Sequence, residues 1–141
     1  MNAIVVGTDG SSGSEATIRR VIDLAGGSGA KIHLVCAYPG RSTLERLGLT
    51  AKTDAVDMRG VAMDVLARDE RRFEEAGFTV EAHAREGDPA QTLIDVAAEN
   101  HADLIAVGTH GTTGLKRFSL GSVASKLTHS ANASLLIVRD D

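Results

Sequence analysis

Residues 6–13 read VGTDGSSG and residues 107–114 read VGTHGTTG. Five of the eight positions are identical, and two of the others exchange serine for threonine. Each stretch follows an apolar run, residues 3–6 in the first case and residues 103–107 in the second, of the kind that forms a strand buried on both faces. A buried strand that ends in a glycine-rich loop is typical of a parallel α/β sheet, and this chain contains that arrangement twice.

The composition narrows the class of protein. The chain has 141 residues, a length at which a single domain buries a substantial core. Its net charge is −4 and no run of Lys or Arg forms a basic stripe, which argues against nucleic acid as a partner. No apolar stretch approaches the ~20 residues that span a bilayer, and the start MNAIVVGTDG lacks the features of a signal peptide. Because Cys36 is the single cysteine, no disulfide can form within the chain, and we expect a cytoplasmic protein.

Strand and helix patterns alternate along the chain. We predict strands at residues 3–6, 31–38, 79–85, 103–107 and 134–138, and helices at 14–25, at 51–76, from Asp88-Pro89 and from Gly121-Ser122. Residues 39–50 predict a loop, and the polar alternation of residues 79–85 is typical of an edge strand. The pattern predicts one domain, residues 1–141, with an open parallel sheet and helices on both faces.

The helix predicted at 51–76 has a narrow apolar stripe. Its expected buried face is Met58, Val61, Ala62, Val65, Leu66 and Phe73. The Asp and Glu residues of 54–75 are typical of a solvated face.

The second loop has the chemistry of a phosphate site. Its glycines can expose backbone N–H groups at little conformational cost: Gly108, Gly111 and Gly114. The helix that begins at Gly121 adds unsatisfied N–H groups and a dipole that favours anions. Lys116 and Arg117 lie between these two features and can neutralise phosphates.

The first loop differs at one position, where Asp9 replaces His110. A carboxylate is a poor phosphate ligand, but it accepts hydrogen bonds from ribose hydroxyls and can bind a Mg²⁺ that phosphates share. We therefore assign a sugar or a metal ion to the first loop, with Thr8 and Asp9, and phosphates to the second. Ligands of open parallel sheets bind where the strand order reverses, so the loops face one crevice if the first and fourth strands are neighbours.

Each loop on its own is also explained as a tight turn. The Walker A pattern is absent, because Lys116 follows Leu115 and no Ser or Thr comes next. The dinucleotide pattern G-x-G-x-x-G is absent as well, since both loops read G-x-x-G-x-x-G.

A longer pattern resembles a known family. Gly108, Gly111 and Gly121-Ser122 match G-x₂-G-x₉-G-[ST] at every fixed position, which is similar to the nucleotide-binding signature of ATP-binding universal stress proteins. Residues 107–138 resemble the C-terminal half of the same family, and residues 4–20 resemble its first strand and helix. The resemblance covers the whole chain.

The resemblance implies a Rossmann-like fold of the adenine nucleotide alpha-hydrolase type, with five parallel strands in the order 3-2-1-4-5. It also implies a phosphate site at Gly108, Thr109, His110, Gly111, Gly121, Ser122 and Val123, to which we add Lys116. It places Asp9 near the ribose, and the backbone of Val35, Cys36 and Ala37 near the adenine. The implied ligand is ATP, with Mg²⁺.

The remaining histidines and the last strand have ordinary explanations. We expect His33 to be a partly buried structural residue, His83 and His101 to be exposed, and His129 to contact a helix C-terminus. Residues 134–138 are apolar, and at a sheet edge they invite pairing. We therefore expect a homodimer through residues 133–139, which the resemblance also implies, together with an unknown protein partner.

The sequence leaves several functions open. The leading hypothesis is an ATP-binding regulatory or protective dimer in the stress response. A cAMP sensor, a nucleotidyl transferase and an interaction dimer that ignores nucleotides are the alternatives. No general base is apparent, so we expect at most slow ATP hydrolysis.

Overall fold

The computed structural model describes residues 1–48, 57–110 and 120–140. Within these ranges ten elements follow one another, five of them strands and five of them helices: β1 (Ala3–Gly7), α1 (Ser12–Ala25), β2 (Lys31–Tyr38), α2 (Arg41–Arg46), α3 (Met58–Glu75), β3 (Val80–Glu86), α4 (Pro89–Glu99), β4 (Leu104–Gly108), α5 (Ser122–Ser130) and β5 (Ser134–Val138).

The strands form one parallel sheet in the order β3-β2-β1-β4-β5. Val5 pairs with His33 of β2 on one side and with Ile105 of β4 on the other. The predicted fold class and strand order are therefore confirmed, and β1 and β4 are neighbours at the point where the order reverses.

Each face of the sheet is covered by a separate apolar cluster. Helices α1 and α3 cover one face, where Ile4, Leu34 and Phe73 are fully buried. Helices α4 and α5 cover the other face, where Val5 and Val96 are fully buried. No helix among the described residues is both long and apolar enough to cross a bilayer.

Two predictions about residues 39–76 are wrong: a loop at residues 41–46 and the burial of Val61. Residues 41–46 form the short helix α2, which buries no residue and therefore leaves no apolar periodicity in the sequence. Helix α3 begins at Met58 in the described part, and residues 51–56 of the predicted helix lie outside it. Val61, predicted to be buried, is 54% exposed.

Two polar residues are more buried than the sequence predicts. Asp69 is fully buried on α3, although the acidic residues of this helix were expected on a solvated face. His83 was expected to be exposed, but its side chain is only 11% exposed, because it packs beside His33. His33 itself is 3% exposed.

Candidate functional site

A crevice opens where the carboxyl ends of β1 and β4 meet. Val6 pairs with Ala106, so Gly7 and Gly108 lead into two loops that leave the same edge of the sheet. The crevice between these loops has a volume of about 120 Å³. Seven of the predicted site residues line it: Thr8, Asp9, Val35, Ala37, Gly108, His110 and Val123.

The two loops touch through glycines. A β carbon on Gly13 would lie 2.6 Å from the carbonyl oxygen of His110, and one on Gly108 would lie 3.1 Å from the carbonyl oxygen of Gly13. Neither glycine adopts a positive φ. They are needed here for close backbone approach rather than for the φ > 0 conformations that glycine permits.

The start of α5 is joined to the second loop. The Gly121 N–H donates to the carbonyl oxygen of Thr109 at 2.6 Å, and a β carbon on Gly121 would lie 2.9 Å from the same oxygen. Gly121 is the N-cap of α5 and offers no side-chain acceptor to the first turn. Thr109, Gly121 and Ser122 are not among the residues that line the crevice.

Asp9 is held at the rim by the beginning of α1. Its Oδ1 accepts hydrogen bonds from the Ser11 N–H at 3.0 Å and from the Ser14 hydroxyl at 2.8 Å. The Asp9 N–H in turn donates to Ser14 Oγ at 3.0 Å. The carboxylate is thus fixed in orientation although Asp9 is exposed.

Thr8 anchors the first loop to α3. Its hydroxyl donates to Asp69 Oδ2 at 2.7 Å, and Arg68 Nε donates to Asp69 Oδ1 at 3.1 Å. The Gly10 N–H donates to Thr8 Oγ1 at 3.3 Å. Thr8 is therefore a positioning residue of the loop as well as part of the crevice wall.

Alternate residues of β2 form one wall of the crevice. Val35 and Ala37 line the crevice, whereas the side chain of Cys36 packs in the apolar cluster on the opposite face of the sheet. Burial, together with the carboxylates of Asp9 and Asp69, raises the pKa of the Cys36 thiol to about 11. Cys36 can therefore contact a ligand in the crevice only through its backbone.

Gly111 and Lys116 lie outside the described residues. For the other predicted site residues, the structure gives positions, and their roles toward a ligand stay predictions.

The crevice also contains residues that the sequence did not single out: Gly7, Ser14, Pro89, Leu93 and Val107. One sequence signal could have drawn attention to Ser14. Ser11 is the N-cap of α1 and accepts from the Ser14 N–H, and a serine followed three residues later by a polar residue is typical of a helix start.

The family model described as "Universal stress protein family" matches residues 1–139. The chain belongs to the universal stress protein family. Among its curated relatives, universal stress protein Rv1636 of Mycobacterium tuberculosis is 32% identical over 138 residues, which cover 96% of this chain and 94% of the relative.

Two solved structures of family members resemble this one closely. A universal stress protein in complex with cAMP is 27% identical, with a TM-score of 0.71, and the match covers 99% of this chain and 98% of that chain. The universal stress protein from Archaeoglobus fulgidus in complex with dAMP is 25% identical, also with a TM-score of 0.71, and the match covers 98% of each chain.

Proposed function

We propose that this universal stress protein binds ATP, with Mg²⁺, in the crevice between its two glycine-rich loops. It would act as a cytoplasmic, nucleotide-responsive homodimer with a regulatory or protective role in stress. The observation that carries the proposal is the contact of the two loops at the carboxyl ends of adjacent parallel strands, the place where open α/β sheets bind ligands. The cAMP and dAMP complexes of the two similar structures support an adenine nucleotide.

The phosphates would bind at the start of α5. The first N–H groups of a helix have no partner within the helix. The N-cap side chains of α1, α3 and α4 accept one such hydrogen bond each, through Ser11, Asp57 and Asp88. Gly121 has no side chain to do this for α5. Phosphate oxygens are well suited to accept from these groups, and the helix dipole favours their charge.

The base would lie against the apolar part of the crevice. Val35 and Ala37 of β2, Leu93 of α4 and Val123 of α5 line this part. Apolar walls with a few fixed polar groups are typical of small-molecule sites. This arrangement supports the assignment of the adenine to the β2 side.

Asp9 would face the sugar or the metal ion. Its carboxylate is exposed at the rim, and its orientation is fixed by Ser11 and Ser14. A carboxylate accepts from ribose hydroxyls, and Mg²⁺ is commonly bound by one or two carboxylates together with substrate phosphates. The residues present therefore fit either role.

The first test is calorimetric titration of nucleotide-free protein with ATP and Mg²⁺. We expect saturable binding of one ATP per chain in the micromolar range. Gly121→Val should abolish binding, because its side chain would collide with the Thr109 carbonyl. Ser130→Val, at the exposed opposite end of α5, is the control. Absence of heat with the unmodified protein, or equal affinity in Gly121→Val, would refute the proposal.

A cAMP sensor is the second candidate, because one of the similar structures is a cAMP complex. Competition decides between them: ATP should displace cAMP at equal concentration if the first proposal holds, and the reverse order establishes the second.

Comparison of ATP with dATP separates the two roles of Asp9. If the carboxylate accepts from the ribose 2′-hydroxyl, dATP should bind at least about tenfold more weakly than ATP, and Asp9→Asn should reduce that difference. If Asp9 binds Mg²⁺ instead, Asp9→Asn should weaken ATP and dATP equally, and only when Mg²⁺ is present.

A further inference from the structure

A second group of functional side chains lies on strands β2 and β3, outside the crevice. The strand register places His33 opposite Glu81 and Val35 opposite His83. Because side chains two residues apart on a strand point to the same face, Glu81 and His83 both face the side of His33. Val5, the other neighbour of His33, belongs to the cluster under α4 and α5, so the group lies on that side of the sheet.

The ligand atoms of these three residues converge. His33 Nδ1 and His83 Nε2 are 3.1 Å apart. Glu81 Oε2 lies 3.1 Å from His83 Nε2 and 3.7 Å from His33 Nδ1. A tetrahedral ion with bonds of ~2.0–2.1 Å separates its ligand atoms by about 3.3–3.4 Å. The three observed separations bracket that value.

We propose that His33, Glu81 and His83 bind one divalent transition-metal ion of the Zn²⁺ type. Two imidazoles and one carboxylate favour Zn²⁺ and its first-row neighbours over Mg²⁺ and Ca²⁺, which prefer oxygen ligands. Three protein ligands leave one position of a tetrahedral ion open to water or to a small ligand. Among the residues that the structure describes, no other set of three or more His, Cys, Asp or Glu side chains converges in this way.

Two basic side chains beside this group, Lys31 and Arg85, are each paired with a carboxylate. Both rings are largely buried, with 3% and 11% of their side chains exposed. Lys31 contacts Glu81 Oε1 at 3.3 Å, which leaves Oε2 directed at the histidines. Arg85 of the same face is paired with Glu99 of α4 at 2.6 Å, which offsets its charge.

Without an ion, the contact between the two rings is a hydrogen bond, and one of the facing nitrogens carries a proton. An ion between the rings uses both lone pairs. The proton then moves to the other nitrogen of the same ring, so each imidazole stays neutral and no net proton is released. Such an ion would connect the edge strand β3 to β2 and stabilise that edge of the sheet.

The test uses the full chain, freed of metal with EDTA and then dialysed, and titrated calorimetrically with Zn²⁺. We expect one ion per chain and a higher melting temperature in the presence of Zn²⁺. Co²⁺ should give the absorption spectrum of a tetrahedral site. Glu81→Gln and His83→Gln should each weaken Zn²⁺ binding by at least about tenfold and remove the Co²⁺ spectrum. His129→Gln, an exposed histidine on α5, is the matched control and should bind as the unmodified protein does.

Glu81 is half exposed, so we expect Glu81→Gln to fold as the unmodified protein does. A loss of Zn²⁺ binding in this variant then reports on the metal site and not on folding. Its circular dichroism and its melting temperature in EDTA should match those of the unmodified protein. The proposal is overturned if the unmodified protein binds no Zn²⁺, or if Glu81→Gln and His83→Gln bind it with unchanged affinity. ATP affinity in Glu81→Gln should remain unchanged, so failure of the metal site and failure of the nucleotide site are separate results.

Discussion

Gly13 lies against the carbonyl oxygen of His110, so closely that a β carbon on Gly13 would be 2.6 Å from that oxygen. This contact joins the beginning of α1 to the second glycine-rich loop across 97 positions of the chain (110 − 13). It explains why positions 13 and 108 are glycines: the two segments form opposite walls of one crevice, and larger side chains at the contact would hold them apart. The loops resemble each other in sequence and differ in chemistry, with Asp9 in one and His110 in the other.

Gly13→Ala should separate the two loops. A methyl group cannot be accommodated at 2.6 Å from a backbone oxygen, so we expect a loss of about 1–3 kcal/mol in the free energy of unfolding and weaker ATP binding. Urea denaturation and calorimetry measure the two effects. Ser130→Ala, at the exposed far end of α5, is the control. Equal ATP affinity in the two variants would contradict this account of the loops.

Thr8→Val should destabilise the fold by removing a partner of a buried carboxylate. Asp69 is fully buried and accepts from the Thr8 hydroxyl at 2.7 Å. Loss of that donor should lower the free energy of unfolding by about 1–3 kcal/mol in urea denaturation. Thr8→Ser retains the hydroxyl and should lose less, and a larger loss in Thr8→Ser than in Thr8→Val would count against the role of this hydrogen bond.

Asp88 should contribute to acid sensitivity. Partial burial raises the pKa of Asp88, but hydrogen bonds from the Gln91 backbone N–H and the Lys126 ammonium lower it by more. The pKa of Asp88 therefore lies below the ordinary 3.8. A folded-state pKa below the unfolded one gives stability that is present above about pH 4 and is lost as the pH falls through the folded pKa. Asp88→Asn still caps α4 but does not titrate. Its urea midpoint should therefore fall less between pH 7 and pH 3 than that of the unmodified protein; parallel declines would disprove this.

Cys36 should be unreactive in the folded protein. With a pKa of about 11, roughly one thiol in a thousand is ionised at pH 8. We expect the aromatic disulfide DTNB to react very slowly with the native protein and rapidly with protein unfolded in urea. The single cysteine makes the signal unambiguous. Complete reaction of the native protein within seconds would show that the thiol is accessible.

The edge strand β5 should form the dimer. It pairs with β4 on one side, and its Leu135, Leu136 and Ile137 are only partly buried. A two-fold antiparallel contact through residues 133–139 centres on residue 136, so Leu136→Lys would bring two like charges together. Light scattering at micromolar concentration should report a dimer for the unmodified protein and a monomer for this variant, whose folding is checked by circular dichroism. A monomeric unmodified protein would exclude this interface.

Much of the fold could be predicted from the sequence, because buried parallel strands leave continuous apolar runs. The bounds of β2 and β5 coincide with the predicted ones, and the caps of α4 and α5 lie at Asp88 and Gly121 as expected. Helix α2 was missed because it buries no residue, and its six residues carry no apolar period. The strand order came from the resemblance to the family and agreed with the position of the loops.

The site was predicted less completely, because it depends on contacts between distant residues. The glycine pattern identified the two loops, yet no local pattern shows that Gly13 meets His110, or that Thr8 binds Asp69 on α3. A single buried carboxylate has the same appearance in sequence as its exposed neighbours. The group of His33, Glu81 and His83 was missed for a similar reason, since its spacing arises from strand register rather than from helical periodicity.

The most direct test of the central claim, that both loops bind one nucleotide, is a titration of ¹⁵N-labelled protein with ATP and Mg²⁺, followed by amide chemical shifts. The account predicts saturable shifts concentrated at residues 8–14, 108–110 and 121–124, with β3 unaffected. No shifts, or shifts that spare one of the two loops, would contradict it.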